Sequence, residues 1–269
     1  MSDDKQRRAN TLDKEMLAQG LPETALRAVE RWLSGPGAPY AAGVDGHTIT
    51  YTPSRWAAIA PWPTQLAERA GGQQNASISR GAVTDVFRTA LADKAWTEAL
   101  VASYVWGSRE TGYYPSRLEE ILRRPNLRSS LDSAAKELQA DAPVQAYALL
   151  RNAVKGLGPA FYSKFLHFLG RAMEPRPRPY PLILDSVLAG VLREHATRVG
   201  LAAGMEWAPE TAAWIWSKGG WTQHRYDVYL QWMHAAADTC VQAGLGTADT
   251  MPELLELAFF HHAWDPTTD

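Results

Sequence analysis

Apolar and polar positions along this chain recur mostly at helical spacing. About 35 residues at the start read as a polar arm followed by a helix over LPETALRAVERWL. GPGAPYAAGVDG is a loop rich in Gly and Pro. HTITY alternates and is β-rich, which predicts one short strand. Beyond it helices dominate. Ser79 stands where it would cap a helix through GAVTDVFRTALA, and Asp93 where it would cap KAWTEALVASYVWG, with Trp96, Leu100 and Tyr104 at helical spacing. Ser116 precedes RLEEILRR, which Pro125 ends. SLDSAAKELQA is another helix, and Asp141 is the expected cap of PVQAYALLRNAV. LILDSVLAGVLREHATRVG is a helix entered through Asp185. TAAWIWSKGGWTQHRYDVYLQWMHAAADTC holds a turn at Gly219–Gly220 and a long amphipathic helix, and ELLELAFFHHAWD closes the chain. The pattern predicts a mainly α protein with at most a couple of strands and no repeats.

One segment changes the picture from fold to chemistry. ALLRNAVKGLGPAFYSKFLHFLG reads as helix, tight hairpin, helix. Gly156 and Gly158 allow positive φ and leave the backbone bare. Pro159 suits the first turn of the second helix, where its missing N–H costs nothing. Amides at such a helix start point outward and the helix dipole favours an anion there, so the hairpin, with Lys155 and Arg151 beside it, is a candidate phosphate clamp. A plain turn between two helices is the competing reading. Next comes a Pro-rich connector, RAMEPRPRPYP, and then an apolar run that delivers one carboxylate, Asp185, to the start of a helix. An N-cap is expected there, which does not prevent the carboxylate from facing a pocket.

Composition adds limits. Of 269 residues, 46% are apolar and 21% charged, as in ordinary globular proteins. The one cysteine, Cys240, excludes a disulfide framework and any four-cysteine zinc or iron–sulfur site, and suits a reducing cytoplasm. The charged N-terminus lacks the apolar core of a signal peptide, and no apolar run approaches a membrane span. Net charge is −2, but Arg151 to Tyr180 carries six Lys/Arg against one acid, so that segment is +5 and the remainder −7. A local basic face on an acidic body fits a phosphate partner, and equally fits a solvated loop flanked by arginines. His261 and His262 are adjacent and cannot both face one helical metal site, so no catalytic metal and no cofactor is expected.

The pair GLG-P…K followed by P-L-I-L-D resembles the helix-hairpin-helix DNA glycosylases, in particular the bacterial 8-oxoguanine-glycosylase-like fold proteins, several of which are linked to defence against phages with modified DNA. The likeness is strongest over 141–199, and extends more loosely to VWGSRETGYYPSRL and WSKGGWTQHRYDVYL. It implies two helical lobes around a central cleft, with few or no strands. The whole chain would form one glycosylase-like unit, with an arm and helix over 1–40. Two features depart from the family. The connector EPRPRPYP is longer, and Ala160 stands where bifunctional members carry a nucleophilic lysine. Lys164 lies one helical turn on, near the same face.

The resemblance implies a monomeric enzyme that flips a modified base out of double-stranded DNA and cleaves its N-glycosidic bond. Asp185 would stabilise the positive charge that develops on the sugar and orient the attacking water. Lys164 is either an amine nucleophile, giving abasic-site lyase activity, or a lysine whose stem packs on aromatic rings. Lys155, Gly156, Gly158 and Arg151 would hold phosphate. Trp106, Arg109, Tyr113, Tyr114, Trp216 and Trp221 are candidates for the base pocket, with TQHRYD and Arg117 as further donors and acceptors. The substrate is either a phage modification such as glucosylated 5-hydroxymethylcytosine or a host lesion such as 8-oxoguanine. A non-catalytic DNA-binding module and a helical interaction protein are the readings from other classes.

Overall fold

The computed structural model describes residues 3–66, 74–108 and 113–268. The protein is mainly α, with a single two-stranded sheet among the described residues. The chain divides into two compact units, named by their order along the sequence: an outer one of Met1–Val44 with Leu184–Asp269 and an inner one of Asp45–Ile183. No helix among the described residues is long and apolar enough to cross a membrane.

The inner unit begins with β1 (Thr48–Tyr51), paired antiparallel to β2 (Ala76–Ser79) with Thr48 opposite Ser79 and Tyr51 opposite Ala76. Ser79 ends β2 and caps α3 (Arg80–Asp93), its hydroxyl accepting the Ala82 amide at 3.1 Å. α4 (Trp96–Gly107) is buried on all sides, which is what an almost uninterrupted apolar helix requires. The expected Asp93 cap for it does not form. Lys94 turns into the left-handed conformation at φ +54° and closes α3 one residue after Asp93, which leaves Ala95 at the cap position of α4. α5 (Tyr113–Leu122) starts earlier than expected, so Ser116 lies inside it and donates to the Tyr113 carbonyl. α6 (Leu127–Gln139) packs on α7 (Pro143–Leu150), and both contact α8 (Pro159–Ala172). Asp141 does not cap α7. At φ +56° it turns away, and its Oδ1 accepts the amide of Arg178 in the Pro-rich connector at 3.2 Å. α7 also stops at Leu150 rather than running on to Val154.

The outer unit corrects the reading of the N-terminus. The polar arm is a helix, α1 (Asp3–Gln19). Its apolar stripe is narrow, only Ala9, Leu12 and Met16, and all three are buried. Asp13 on the same face forms a buried two-pronged ion pair with Arg225. Tertiary contacts therefore hold a segment that its own polarity disguises. α2 (Glu23–Leu33) follows as expected. α9 (Ser186–Ala202) contacts α1, α10 (Ala208–Ile215) and α12 (Met251–Phe260). At Gly200 an added Cβ would lie 2.3 Å from the Ala208 Cβ and 2.8 Å from Leu12, so α9 approaches these neighbours as closely as a glycine allows. α11 (Gln223–Gln242) is capped by Thr222 and packs on α12 and α1.

Candidate DNA-binding hairpin and catalytic carboxylate

The hairpin between α7 and α8 is built by two buried anchors and one glycine. Val154 and Leu157 are 2% and 5% exposed, and between them Lys155 and Gly156 project to solvent. Gly156 has φ +95°, and a Cβ there would stand 3.3 Å from Ile121, so both backbone conformation and space call for glycine. Gly158 behaves differently from the sequence reading. It is extended, at φ −85° and ψ 164°, and occupies the cap position of α8. Its carbonyl takes the amides of Phe161 and Tyr162, at 3.0 and 3.1 Å. Among the described residues, the amides of Gly156, Gly158 and Ala160 have no hydrogen-bond acceptor. They sit with exposed Arg151 and Lys155 at the positive end of α8.

The hairpin carbonyls are held from the side. Arg117 on α5 donates through Nε and Nη2 to the Gly156 carbonyl, at 3.0 and 2.7 Å. Asn126 donates to the Ala153 carbonyl. Arg117 was a candidate for the base pocket on sequence grounds, and in the structure it serves the hairpin. No local signal points to this contact, because 39 residues separate its partners. The Gly156 carbonyl does not suit a bound cation. It already faces a guanidinium, and a second positive charge beside it would be repelled.

Lys164 is 7% exposed, and its ammonium donates to the Ala160 carbonyl at 3.2 Å. Its stem lies against Gly107, where a Cβ would come within 2.6 Å of the lysine Cδ. Phe161 is stacked on Tyr104 with centroids 3.9 Å apart, and burial pushes the Tyr104 hydroxyl well above its ordinary range.

A buried polar relay ties α8 to the connector. His167 is fully enclosed, with Nδ1 3.1 Å from the Pro181 carbonyl and Nε2 3.5 Å from Arg80 Nη1. Arginine only donates, so Nε2 is the acceptor and Nδ1 carries the proton given to Pro181. Burial first, then the positive charges of Arg80 and Arg171, hold the His167 pKa well below its usual value. Gly170 completes the seat, since a Cβ there would meet Pro181 at 2.7 Å and Pro177 at 3.4 Å. Sequence reading passed over His167, because one histidine in an aromatic helix carries no distinguishing pattern.

The connector leads through buried Leu182, Ile183 and Leu184 to Asp185, the N-cap of α9. Asp185 Oδ1 accepts the amides of Val187 and Leu188, at 2.9 and 3.1 Å. Among the described residues its Oδ2 has no partner, and the side chain is half-buried. One oxygen is thus pinned by the cap while the other is open.

The aromatic candidates separate. Trp106 is 6% exposed and packed edge-on against Phe168 and His47, with the Arg80 guanidinium 5.0 Å from its ring. Trp216 and Trp221 are also buried. Arg225 lies over the Trp216 ring, and the Trp221 indole donates to the Ser217 carbonyl at 2.8 Å. Tyr114 is half-buried beside Phe161, whereas Tyr113 presents its ring to solvent. Arg109 lies outside the described residues. In the outer unit a pocket of about 800 Å³ is lined by Gln6, Asn10, Trp214, Ser217, Thr222 and His224, with the Arg225 side chain at its wall. Thr222 to Arg225 belong to the TQHRYD stretch that sequence analysis marked as a source of polar groups.

A family model described as "Putative 8-oxoguanine DNA glycosylase OGG-like protein" matches residues 42–260. The match spans the hairpin, the connector and Asp185, and leaves α1 and α2 outside it. No curated protein and no solved structure matches the chain.

Proposed function

The chain belongs to the OGG-like DNA glycosylase family, and from that premise we propose that it excises a modified base from duplex DNA with Asp185 as the catalytic carboxylate. The observation that carries this reading is the divided role of the Asp185 oxygens. Oδ1 is fixed by two backbone amides, so Oδ2 is held in one direction without spending entropy on it. As the bond from C1′ to the base nitrogen breaks, positive charge grows on the sugar, and a fixed anion beside C1′ stabilises it. Water then adds to C1′ and passes a proton to Oδ2, while the base leaves with its bonding electron pair and takes up a proton. The products are a free base and an abasic site.

The hairpin holds the DNA backbone in this reading. Exposed Arg151 and Lys155 provide charge, and the open amides at 156, 158 and 160 provide donors for a phosphate. Lys164 has its ammonium on a backbone carbonyl of its own helix, which favours hydrolysis over a Schiff-base route. Borohydride treatment during turnover then traps no covalent adduct. An adduct lost in Lys164→Ala would make the enzyme a lyase instead.

The proposed substrate is a cytosine enlarged by a neutral polar group, as in phage DNA carrying glucosylated 5-hydroxymethylcytosine. The pocket in the outer unit supports this choice. Its volume is ample for a base bearing a sugar, and its side chains are mostly aromatic, amide, hydroxyl and imidazole groups. Base release, read as alkali-sensitive cleavage, is to be measured on duplexes carrying 8-oxoguanine, 5-hydroxymethylcytosine or its glucosylated form. Release from the glucosylated duplex alone bears out the defence reading. Release from 8-oxoguanine alone replaces it with host repair. Full activity in Asp185→Asn removes the catalytic assignment, and tight binding with no release on any duplex leaves a non-catalytic binding module.

A further inference from the structure

We infer that Arg117 is the positioning residue of the DNA-binding hairpin: its guanidinium, closed on the Gly156 carbonyl, sets the backbone that grips phosphate without touching the phosphate itself. The inference rests on the hairpin's proposed role as the phosphate clamp and adds to it the group that makes the clamp rigid.

The geometry has three parts. First, Arg117 spends two N–H groups, on Nε and Nη2, on one carbonyl, at 3.0 and 2.7 Å. A planar fork fixes both the position and the tilt of the peptide it holds, which a lysine ammonium cannot do. Second, that peptide follows the residue at φ +95°, the one hairpin glycine in left-handed backbone. A glycine has many alternative conformations, so the turn needs an outside restraint to stay in one. Third, α8 begins immediately beyond, and an added Cβ on Gly158 would stand 3.7 Å from Arg117 Nη2. The guanidinium therefore borders both glycines of the hairpin. Leu118 and Ile121 on the same helix are buried, so the stem that carries Arg117 is itself seated.

A clamp of fixed amides binds phosphate better than a mobile one, because ordering the turn no longer counts against binding. The guanidinium reaches phosphate only through the backbone, so its loss weakens binding without removing a phosphate contact. Lys155, a direct contact in this scheme, does the opposite in the salt dependence.

The test measures binding of the full chain to a duplex with a stable abasic-site analogue across a series of KCl concentrations. Wild type, Arg117→Met, Arg117→Lys and Lys155→Met are compared. The expected result for Arg117→Met is a loss of about tenfold or more in affinity, with the slope of log K against log[KCl] unchanged. Arg117→Lys recovers only part of the loss, and Lys155→Met lowers the slope by about one. In turnover with an active duplex, Arg117→Met raises KM and keeps most of kcat. If Arg117→Met is poorly folded, Gly156→Ala disturbs the same turn by another route. Adding Arg117→Lys to it then costs little more, as expected of two changes to one element. Wild-type affinity in Arg117→Met, or a slope reduced by about one, overturns the inference while the clamp itself stands. Failure of the wild type to bind DNA at low salt overturns the clamp, and this inference with it.

Discussion

The hairpin and the Asp185 cap are both helix starts that offer polar groups, yet they are held in opposite ways. Asp185 is fixed by amides two and three residues further along its own helix. The hairpin is fixed by Arg117 and Asn126, whose partners lie 39 and 27 residues away. The cap is complete as soon as its first turn forms. The hairpin has its working shape only after α5 and α6 have packed beside it. The carboxylate proposed for catalysis is thus locally determined, whereas the surface proposed to hold phosphate depends on tertiary packing. This division predicts that the carboxylate tolerates distant mutation and the hairpin does not.

The sharpest way to break the contrast is Asp185→Asn. Asparagine keeps the cap and removes the charge, so base release should fall about 10²–10⁴-fold while thermal stability and abasic-duplex binding change little. A parallel loss of stability would mean that the carboxylate serves folding rather than chemistry. Asp185→Ala provides the complement, losing the same activity and about 1 kcal/mol of stability with the cap, measured by urea unfolding.

Gly156→Ala comes next. A side chain at φ +95°, 3.3 Å from Ile121, should cost about 1–3 kcal/mol of stability and weaken DNA binding while leaving kcat at saturating duplex nearly intact. A fall in kcat with unchanged binding would reverse the roles given to the two regions.

The smallest expected effect concerns pH. His167 titrates well below its ordinary value of 6.5 in the folded protein, so above that pH it is neutral in both states and makes no difference. As pH falls below about 6.5 the unfolded chain takes up the proton first, and stability declines toward the depressed folded pKa. His167→Gln should flatten that part of the stability profile, read as melting temperature between pH 7 and pH 5. An unchanged profile would remove His167 from the relay that seats the connector.

Much of this was legible in short stretches of sequence. The Ser79 cap and the Asp185 helix start follow from contacts within a few residues, the TITY strand from its alternation, and the turn at Gly156 from the backbone freedom of glycine. The misreadings have two origins. Asp93 and Asp141 have the chemistry of caps, but the left-handed residues Lys94 and Asp141 moved the helix starts past them. The first helix reads as a polar arm because what holds it is made with distant residues, the Asp13–Arg225 pair, 212 residues apart in the chain, among them.

The sequence by itself determined which backbone is bare at Gly156, where α8 and α9 begin, and that one carboxylate stands at the head of α9. Each of these depends on conformational freedom or on a hydrogen bond to a near neighbour, and such interactions are independent of the rest of the chain. Only the tertiary structure decided that Arg117 closes on the hairpin, that Lys164 and the three tryptophans are buried, and that α1 is a helix. These outcomes come from packing and from pairs formed across long loops, where the partner is chosen by the fold and the local pattern is silent.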